Sequence, residues 1–400
     1  MYQLHKVWML FESMKVAIIH RSFDVLGGAE LYALDVIRVL TGLGFDTRVY
    51  TLSVRGSVDR ITPPGRVRFV LVRPLLRTGS IYDFVLDTYN LSRALKLKGS
   101  DVNIVVNTKA SETPLEADVC VVHYPLGIAL HFWDRVSIGA GVDPKYVNSL
   151  FWKLYIQPFR ELFYELSNRS LRRCRVIVAN SRWTAKLLEE LSGLSSVVIY
   201  PPINLEYFKP PVGVSKENMV VTISRFEPSK NIEAVLHVAK RVQHAKFVVI
   251  GRVSDRASHT YYKSLEKLKE RLGLSNLYLL PNLGEDAKRF ILSRAKIYFH
   301  PTIGEHFGIS VLEALASGTI PVVSMFSGSC TDIVKSVGYG YCYNSYAEAL
   351  EIIKDLVSRR ELEVPDAERL SKVLSMFSFE EFSRRFTEVI NKVPGISTLG

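Results

Sequence analysis

Short apolar runs alternate with longer amphipathic stretches along this chain. Residues 15–20, KVAIIH, are almost wholly apolar and run into a polar loop, the pattern of a buried parallel strand. Helical periodicity follows at about 30–43. Strands are then expected at about 46–52, 67–72, 102–107, 118–123, 175–180 and 197–200, with helical stretches between them. Such alternation builds a doubly wound sheet. The string VIYPPINLEYFKPPVG at 198–213 carries four prolines and interrupts the alternation, so it reads as a stiff linker. A second series of strands begins at 219–224 and continues at 246–251, 277–280, 297–300, 320–324 and 339–342. The expected fold is α/β with two doubly wound Rossmann-like domains, residues 14–200 and 214–376, joined by a linker at 201–213. A final helix at about 379–391 lies in a terminal segment, 377–400, that has no strand to follow it. Two such halves leave a cleft as the default binding site.

Length agrees with this division, because 400 residues exceed what one ordinary core organises. Residues 1–13 are mildly apolar, lack a small-residue cleavage site and precede Met14, so they read as a non-native extension or disordered N-terminus. No apolar run reaches the length needed to span a bilayer. A net charge of +11, from 51 Lys and Arg against 40 acids, favours an anionic partner: nucleotide, lipid headgroup or nucleic acid. Nucleic acid is disfavoured, because the basic residues form no aromatic-interleaved cluster. Cys120, Cys174, Cys330 and Cys342 show no CxxC spacing, which argues against a zinc site and a disulfide framework and for a reducing cytoplasm. At 150–173, Tyr155, Phe159 and Phe163 recur at helical spacing with Arg160, Arg169, Arg172 and Arg173 between or after them. That helix either rests on an anionic membrane or packs against the first domain's sheet, and packing is the preferred reading.

Chemistry concentrates in PTIGEHFGISVLEALASGTIPVV, 301–323. A loop carrying Glu305, His306, Phe307 and Gly308 enters a helix with Ile309, Leu312 and Ala316 on one face, and Gly318 ends it. A helix N-terminus favours phosphate, and Glu313, one turn further in, suits a ligand's hydroxyls. The acidic spacing alone is weak evidence, since Glu380 and Glu388 repeat it elsewhere. Three other places carry candidates. Gly27 and Gly28 lie in a strand-to-helix loop, as phosphate-approaching glycines or as simple turn chemistry. His123 ends the strand DVCVVH, at the strand end where open α/β sheets bind ligands. In ISRFEPSKNI, Arg225 and Lys230 flank a short turn, and two cations there suit a diphosphate.

Taken together, EHFGISVLEALASGTIPVV and SGSCTDIV resemble the Glu-x7-Glu segment of retaining GT-B glycosyltransferases, and are similar to the mannosyltransferases that extend dolichol-linked oligosaccharide. The resemblance is strong from 219 to 334, good at 15–35 and 118–127, and thin from 54 to 100. It implies that Arg225 and Lys230 grip the diphosphate and that Glu313 accepts from ribose hydroxyls. Glu305 would hold the donor sugar with backbone N–H groups of Phe307, Gly308 and Ile309, and His123 would contact that sugar from the opposite domain. Gly27 and Gly28 would line the cleft near the reacting phosphate, and the base would sit near Arg252 and the turn at Asn282, Leu283 and Gly284. The leaving phosphate itself would take the acceptor's proton.

The implied activity is a metal-independent hexosyltransferase, with no cofactor. The expected donor is GDP-mannose, with a UDP-sugar as alternative, and the expected acceptor a lipid-linked glycan, with a soluble sugar or glucan as alternative. The expected place is the cytoplasm, with peripheral contact to the anionic cytoplasmic face of the membrane. One departure concerns donor-sugar identity: Ser327, Gly328 and Ser329 stand where many members have two successive glycines. A nucleotide-sugar epimerase and a non-catalytic nucleotide-binding protein are the rival readings.

Overall fold

The computed structural model describes residues 14–54, 67–98, 101–132, 150–360 and 367–394, so the expectation for residues 1–13 lies outside the described residues. The chain forms two compact units, one built from residues up to Pro202 together with those from Phe379 onward, the other Ile203–Ser378.

The first unit holds a parallel sheet of seven strands: β1 (Lys15–Ile19), β2 (Asp46–Thr51), β3 (Val67–Leu71), β4 (Ile104–Asn107), β5 (Val119–Val122), β6 (Val176–Ala179) and β7 (Val197–Val198). Their order is β3-β2-β1-β4-β5-β6-β7, so the winding reverses between β1 and β4. Crevices that bind ligands form at such reversals, beyond the carboxyl ends of the strands. Helix α1 (Gly28–Gly42) starts earlier than its apolar periodicity suggests. The reason is local: the Glu30 carboxylate accepts the Gly27 N–H at 3.0 Å and so satisfies a donor that the helix start leaves open. The helix Phe379–Asn391 closes this unit, packing Phe382, Phe386, Val389 and Ile390 into the core around α1.

Helix α2 (Asp83–Lys98) precedes β4, and α3 (Leu150–Arg173) precedes β6. The aromatic stripe of α3 is an internal interface. Phe159 and Phe163 stack at 5.0 Å, fully buried with Ile156 against Ile81, Tyr82, Phe84 and Val85. Arg160 is buried as well, donating to the carbonyls of Leu130 at 2.8 Å and His131 at 2.7 Å.

The second unit repeats the plan with β8 (Glu217–Ile223), β9 (Lys246–Gly251), β10 (Leu277–Pro281), β11 (Ala295–His300), β12 (Ile320–Ser324) and β13 (Tyr341–Tyr343), ordered β10-β9-β8-β11-β12-β13. The winding reverses between β8 and β11. Around the sheet lie α4 (Ile232–Arg241), α5 (Glu285–Arg294) and α6 (Ile309–Ala316). Part of the proline-rich stretch packs into this unit. Ile203 donates to the Phe377 carbonyl at 3.0 Å, and Phe208, in a helical turn, is buried.

The cysteines correct the sequence reading. Cys120 is bonded to Cys174 and Cys330 to Cys342, with Cα separations of 6.2 and 5.7 Å. Sequence spacing missed both pairs because parallel winding makes them neighbours: Cys120 lies on β5 opposite Ile177 of β6, which follows Cys174 closely. Cysteine usage therefore gives no argument for a reducing compartment. No described helix is long and apolar enough to cross a membrane.

Candidate functional site

In the second unit the candidate residues gather at the carboxyl ends of β8 and β11 and at the start of α6. The loop 304–308 is shaped by two glycines with positive φ, 75° at Gly304 and 97° at Gly308. Gly308 caps α6, and a Cβ there would lie 2.2 Å from Ser329 Oγ. A second loop locks against the first through backbone: Gly304 N–H donates to the Phe326 carbonyl at 2.9 Å and Gly328 N–H to that of Glu305 at 2.7 Å. A Cβ on Gly328 would stand 2.0 Å from the His306 carbonyl oxygen, so this approach requires glycine. Ser327 and Ser329, the departure from the double glycine, are both buried. Their hydroxyls donate to the Ser324 carbonyl at 2.6 Å and the Phe307 carbonyl at 2.8 Å. These serines hold the loop.

Glu305 is clasped from two sides. Lys230 Nζ donates to its Oε2 at 2.8 Å, and His300 Nε2 stands 3.3 Å from the same oxygen. Burial alone would raise this carboxyl, but the charge of Lys230 and the hydrogen bond with His300 outweigh it and hold Glu305 well below the ordinary carboxylate range. Glu313 has a separate partner: Lys288 of α5, at 3.1 Å, which also pairs with Glu285 at 2.7 Å. Burial raises the Glu313 carboxyl against the opposing pull of Lys288. The two acids thus differ in electrostatic setting, one carboxyl held below the ordinary range by its cationic neighbours and the other raised by burial.

Arg225 is more open than Lys230. It pairs with Glu227 at 2.8 Å, and its side chain is 58% exposed. Asn282 takes the left-handed conformation, φ 56°, and its amide staples the neighbouring loop, accepting from Val253 N–H at 2.9 Å and donating to the Val253 carbonyl at 3.2 Å. With that side chain engaged, Asn282 acts here by shaping the turn with Leu283.

In the first unit the carboxyl ends of β1 and β4 carry a buried charged network. Glu30 accepts from Gly27 N–H and, at 2.9 Å, from Lys109 Nζ, while His20 Nε2 lies 3.5 Å away. Lys109 also meets Glu112 at 3.3 Å. Burial would raise Glu30, yet the nearby His20 ring and the charge of Lys109 hold it far below its usual range. His123 Nε2 lies 3.1 Å from the Thr108 carbonyl, and its ring meets Tyr32 edge to face at 5.2 Å. A carbonyl can only accept, so Nε2 carries the proton and Nδ1 is the acceptor nitrogen. Burial, with the nearby charges of Lys109 and His20, pushes the imidazole down to about 3, so His123 is neutral near pH 7.

The structure therefore brings together Lys230 with Glu305, and Gly308 with Ile309, in one unit, and Gly27, Gly28 and His123 near one sheet reversal in the other. Lys109, His20, Lys288 and His300 were not foreseen. Three of these four stand at or just past the carboxyl end of a strand, so the strand-end rule that found His123 applies to them equally. Lys288 had no such signal beyond its helical spacing from Glu285.

Comparison with known proteins follows the same division. Residues 26–207 match the family model for Glycosyltransferase Family 4, and residues 205–372 that for Glycosyl transferases group 1. Among curated proteins, the chain is 24% identical over 301 residues to a GDP-Man:Man(3)GlcNAc(2)-PP-Dol alpha-1,2-mannosyltransferase of Dictyostelium discoideum, covering 68% of this chain and 58% of that one. A protein of the same name from Xenopus laevis is 29% identical, over 67% of this chain and 59% of its own length. The chain thus spans little more than half of these relatives. The Alpha-1,3/1,6-mannosyltransferase ALG2 of Yarrowia lipolytica is 26% identical over 82% of this chain and 80% of its own. Among solved structures, a sucrose-phosphate synthase of Thermosynechococcus elongatus superposes with a TM-score of 0.70 at 14% identity, covering 95% of this chain and 98% of that one. WaaG, a glycosyltransferase involved in lipopolysaccharide biosynthesis, gives 0.65 at 15%, covering 95% and 100%. With a family 4 module leading into a group 1 module and both sheets wound alike, the chain belongs to the GT-B glycosyltransferases.

Proposed function

We propose that this protein is a retaining mannosyltransferase that moves mannose from GDP-mannose to a hydroxyl of a lipid-linked glycan. The observation that carries the reading is the Lys230–Glu305 pair at the start of α6, beside a Gly308 cap at which no side chain covers the helix N-terminus. An ammonium, a guanidinium from Arg225 and a helix N-terminus together suit a nucleoside diphosphate, and they oppose the charge that grows on it as the glycosidic bond breaks. Glu305, held anionic, accepts from donor-sugar hydroxyls, and Glu313 accepts from the ribose. His123, neutral with Nδ1 as acceptor, is assigned to the transferred sugar, and Gly27 and Gly28 to the acceptor side.

In this reading the bond from the sugar's anomeric carbon to the phosphate oxygen breaks as the acceptor oxygen bonds to that carbon on the same face. The acceptor's proton passes to the departing phosphate, so positioning and electrostatics supply most of the rate. The names of the relatives support mannose, GDP and a dolichol diphosphate acceptor; the serines at 327 and 329 support no particular sugar. The reading places the enzyme at the cytoplasmic surface of a membrane.

The test is release of nucleoside diphosphate from a panel of nucleotide sugars in the presence of isolated membrane lipids, comparing wild type with Glu305→Ala and Lys230→Ala. GDP release from GDP-mannose, label in the lipid fraction and loss of both in the variants are expected. Turnover of UDP-sugars alone would replace the donor. Label confined to a soluble product would replace the acceptor. An altered sugar with no diphosphate released would make the protein an epimerase.

A further inference from the structure

The strongest feature outside the site lies on the first unit, around edge strand β3 and helix α2. Leu71, Leu75 and Leu76 are 58, 65 and 60% exposed, in the stretch leaving β3, with Arg73 and Arg77 exposed beside them. Loose chain does not explain the exposure, because the loop is pinned. Leu75 N–H donates to Asn90 Oδ1 at 3.2 Å, Asn90 is buried, and Asp83 accepts from the N–H groups of Thr78 at 2.8 Å and Gly79 at 3.0 Å. A strand end and a fixed loop that together hold three leucines in water carry a hydrophobic cost that binding would relieve.

Charge indicates what covers them. The bond to Asn90 sets the loop beside exposed Tyr89, which opens a stripe on α2 that continues through Arg93, Lys96 and Leu97 at spacings of four, three and one. The acids of the segment are engaged elsewhere: Asp87 is buried against Arg21 at 2.9 Å, and Asp83 holds the loop. Among the described residues, Arg68, Arg73, Arg93 and Lys96 form no ion pair, so the face is apolar and cationic with little compensation. Exposed leucines and a tyrosine ringed by arginine and lysine match an anionic bilayer surface, which takes apolar side chains past its headgroups and attracts the cations. A second copy of this chain would bring like charge against like.

We propose that this face, Leu71–Leu76 with Arg73, Arg77 and the Tyr89–Arg93 stripe, docks the protein on an anionic lipid surface. It deepens the lipid-linked reading by saying which face meets the lipid. The aromatic stripe of α3, which pattern alone made the membrane candidate, is excluded for Phe159 and Phe163 because they are buried.

The test is sedimentation of the full chain with vesicles of phosphatidylcholine, with and without phosphatidylglycerol. Binding to the anionic vesicles, weakened by salt, is expected. Leu75→Ser/Leu76→Ser and Arg73→Glu/Arg77→Glu should each lower the partition coefficient by about tenfold or more, while Leu154→Ser on α3 leaves it unchanged. No binding to anionic vesicles, or binding insensitive to both double variants, overturns the proposal. So does a wild-type dimer in light scattering that the leucine variant converts to monomer. GDP release without vesicles separates the two readings: intact release with failed docking overturns the surface alone, and intact docking with no donor turnover overturns the function alone.

Discussion

Lys230→Ala removes an ammonium 2.8 Å from Glu305 and leaves the carboxylate in place with His300 at 3.3 Å. Stripping one partner from a buried ion pair costs about 3–5 kcal/mol, and a hydrogen bond to a charged group contributes about 1.5–3 kcal/mol. The two side chains are 19 and 18% exposed, so water softens the loss and we expect about 2–3 kcal/mol. For a unit of this size that lowers Tm by about 5–10 °C. Calorimetry of the full chain would follow the transition of the second unit for wild type, Lys230→Ala, Glu305→Gln and the double variant. The double variant should recover most of the loss, giving a coupling energy of about 2 kcal/mol. The pH dependence has a definite sign. In wild type the folded Glu305 titrates well below the ordinary carboxylate value of 4.5, so the pair stabilises above that value and its contribution fades as pH falls below it. Without Lys230, burial raises the carboxyl and protonation relieves the penalty, so the stability gap between the two proteins narrows as pH falls. Additive effects in the double variant, or a gap that widens in acid, would refute the pairing described here.

Gly308→Ala forces a side chain into φ 97° and against Ser329 Oγ, so donor kcat/KM should fall by about 100-fold or more with the far-UV spectrum unchanged; adding Ser329→Ala relieves the contact but not the backbone strain, and should restore little. His123, neutral down to about 3, stabilises the fold above the ordinary histidine value of 6.5, and that contribution is lost as pH falls toward 3. Denaturant titrations of His123→Asn should therefore show a shallower acid slope, by about 1.4 kcal/mol per pH unit, and an equal slope would count against the partly buried neutral ring. Alkylation without reduction, read by mass spectrometry, should find all four cysteines protected. Loop closures of 54 and 12 residues correspond to about 4 and about 3 kcal/mol, so reduction should lower Tm, and free thiols at Cys330 or Cys342 would contradict the pairing.

Much of this molecule was legible in the chain, for reasons particular residues make clear. Runs such as residues 15–20 and 320–324 are apolar and β-branched because parallel strands are covered on both faces, and that signature survives without any neighbour. Glu305, Gly308 and Lys230 lie in short local strings whose chemistry depends on a turn and a helix start. What the chain concealed is set by winding. Lys109 reaches Glu30 across 79 positions, Lys288 reaches Glu313 from another helix, and Cys120 meets Cys174 through strand order. Amphipathic pattern also cannot separate an apolar face that will be covered from one that will not. Phe159 went inside and Leu75 stayed out, although each sits among arginines.

The helix Phe379–Asn391 has a consequence for how the protein is made. Its Phe382, Phe386, Val389 and Ile390 complete the core around α1, yet they leave the ribosome long after that helix does. At ordinary synthesis rates of about 5–20 residues per second, the earlier strands wait many seconds with that groove open. The second unit has its own complete set of strands within Ile203–Ser378, so it can finish folding while the first still lacks its closing helix. A chain ending before Phe379 would expose the groove permanently, which makes late truncation a cause of chaperone capture and aggregation with every candidate catalytic residue still present.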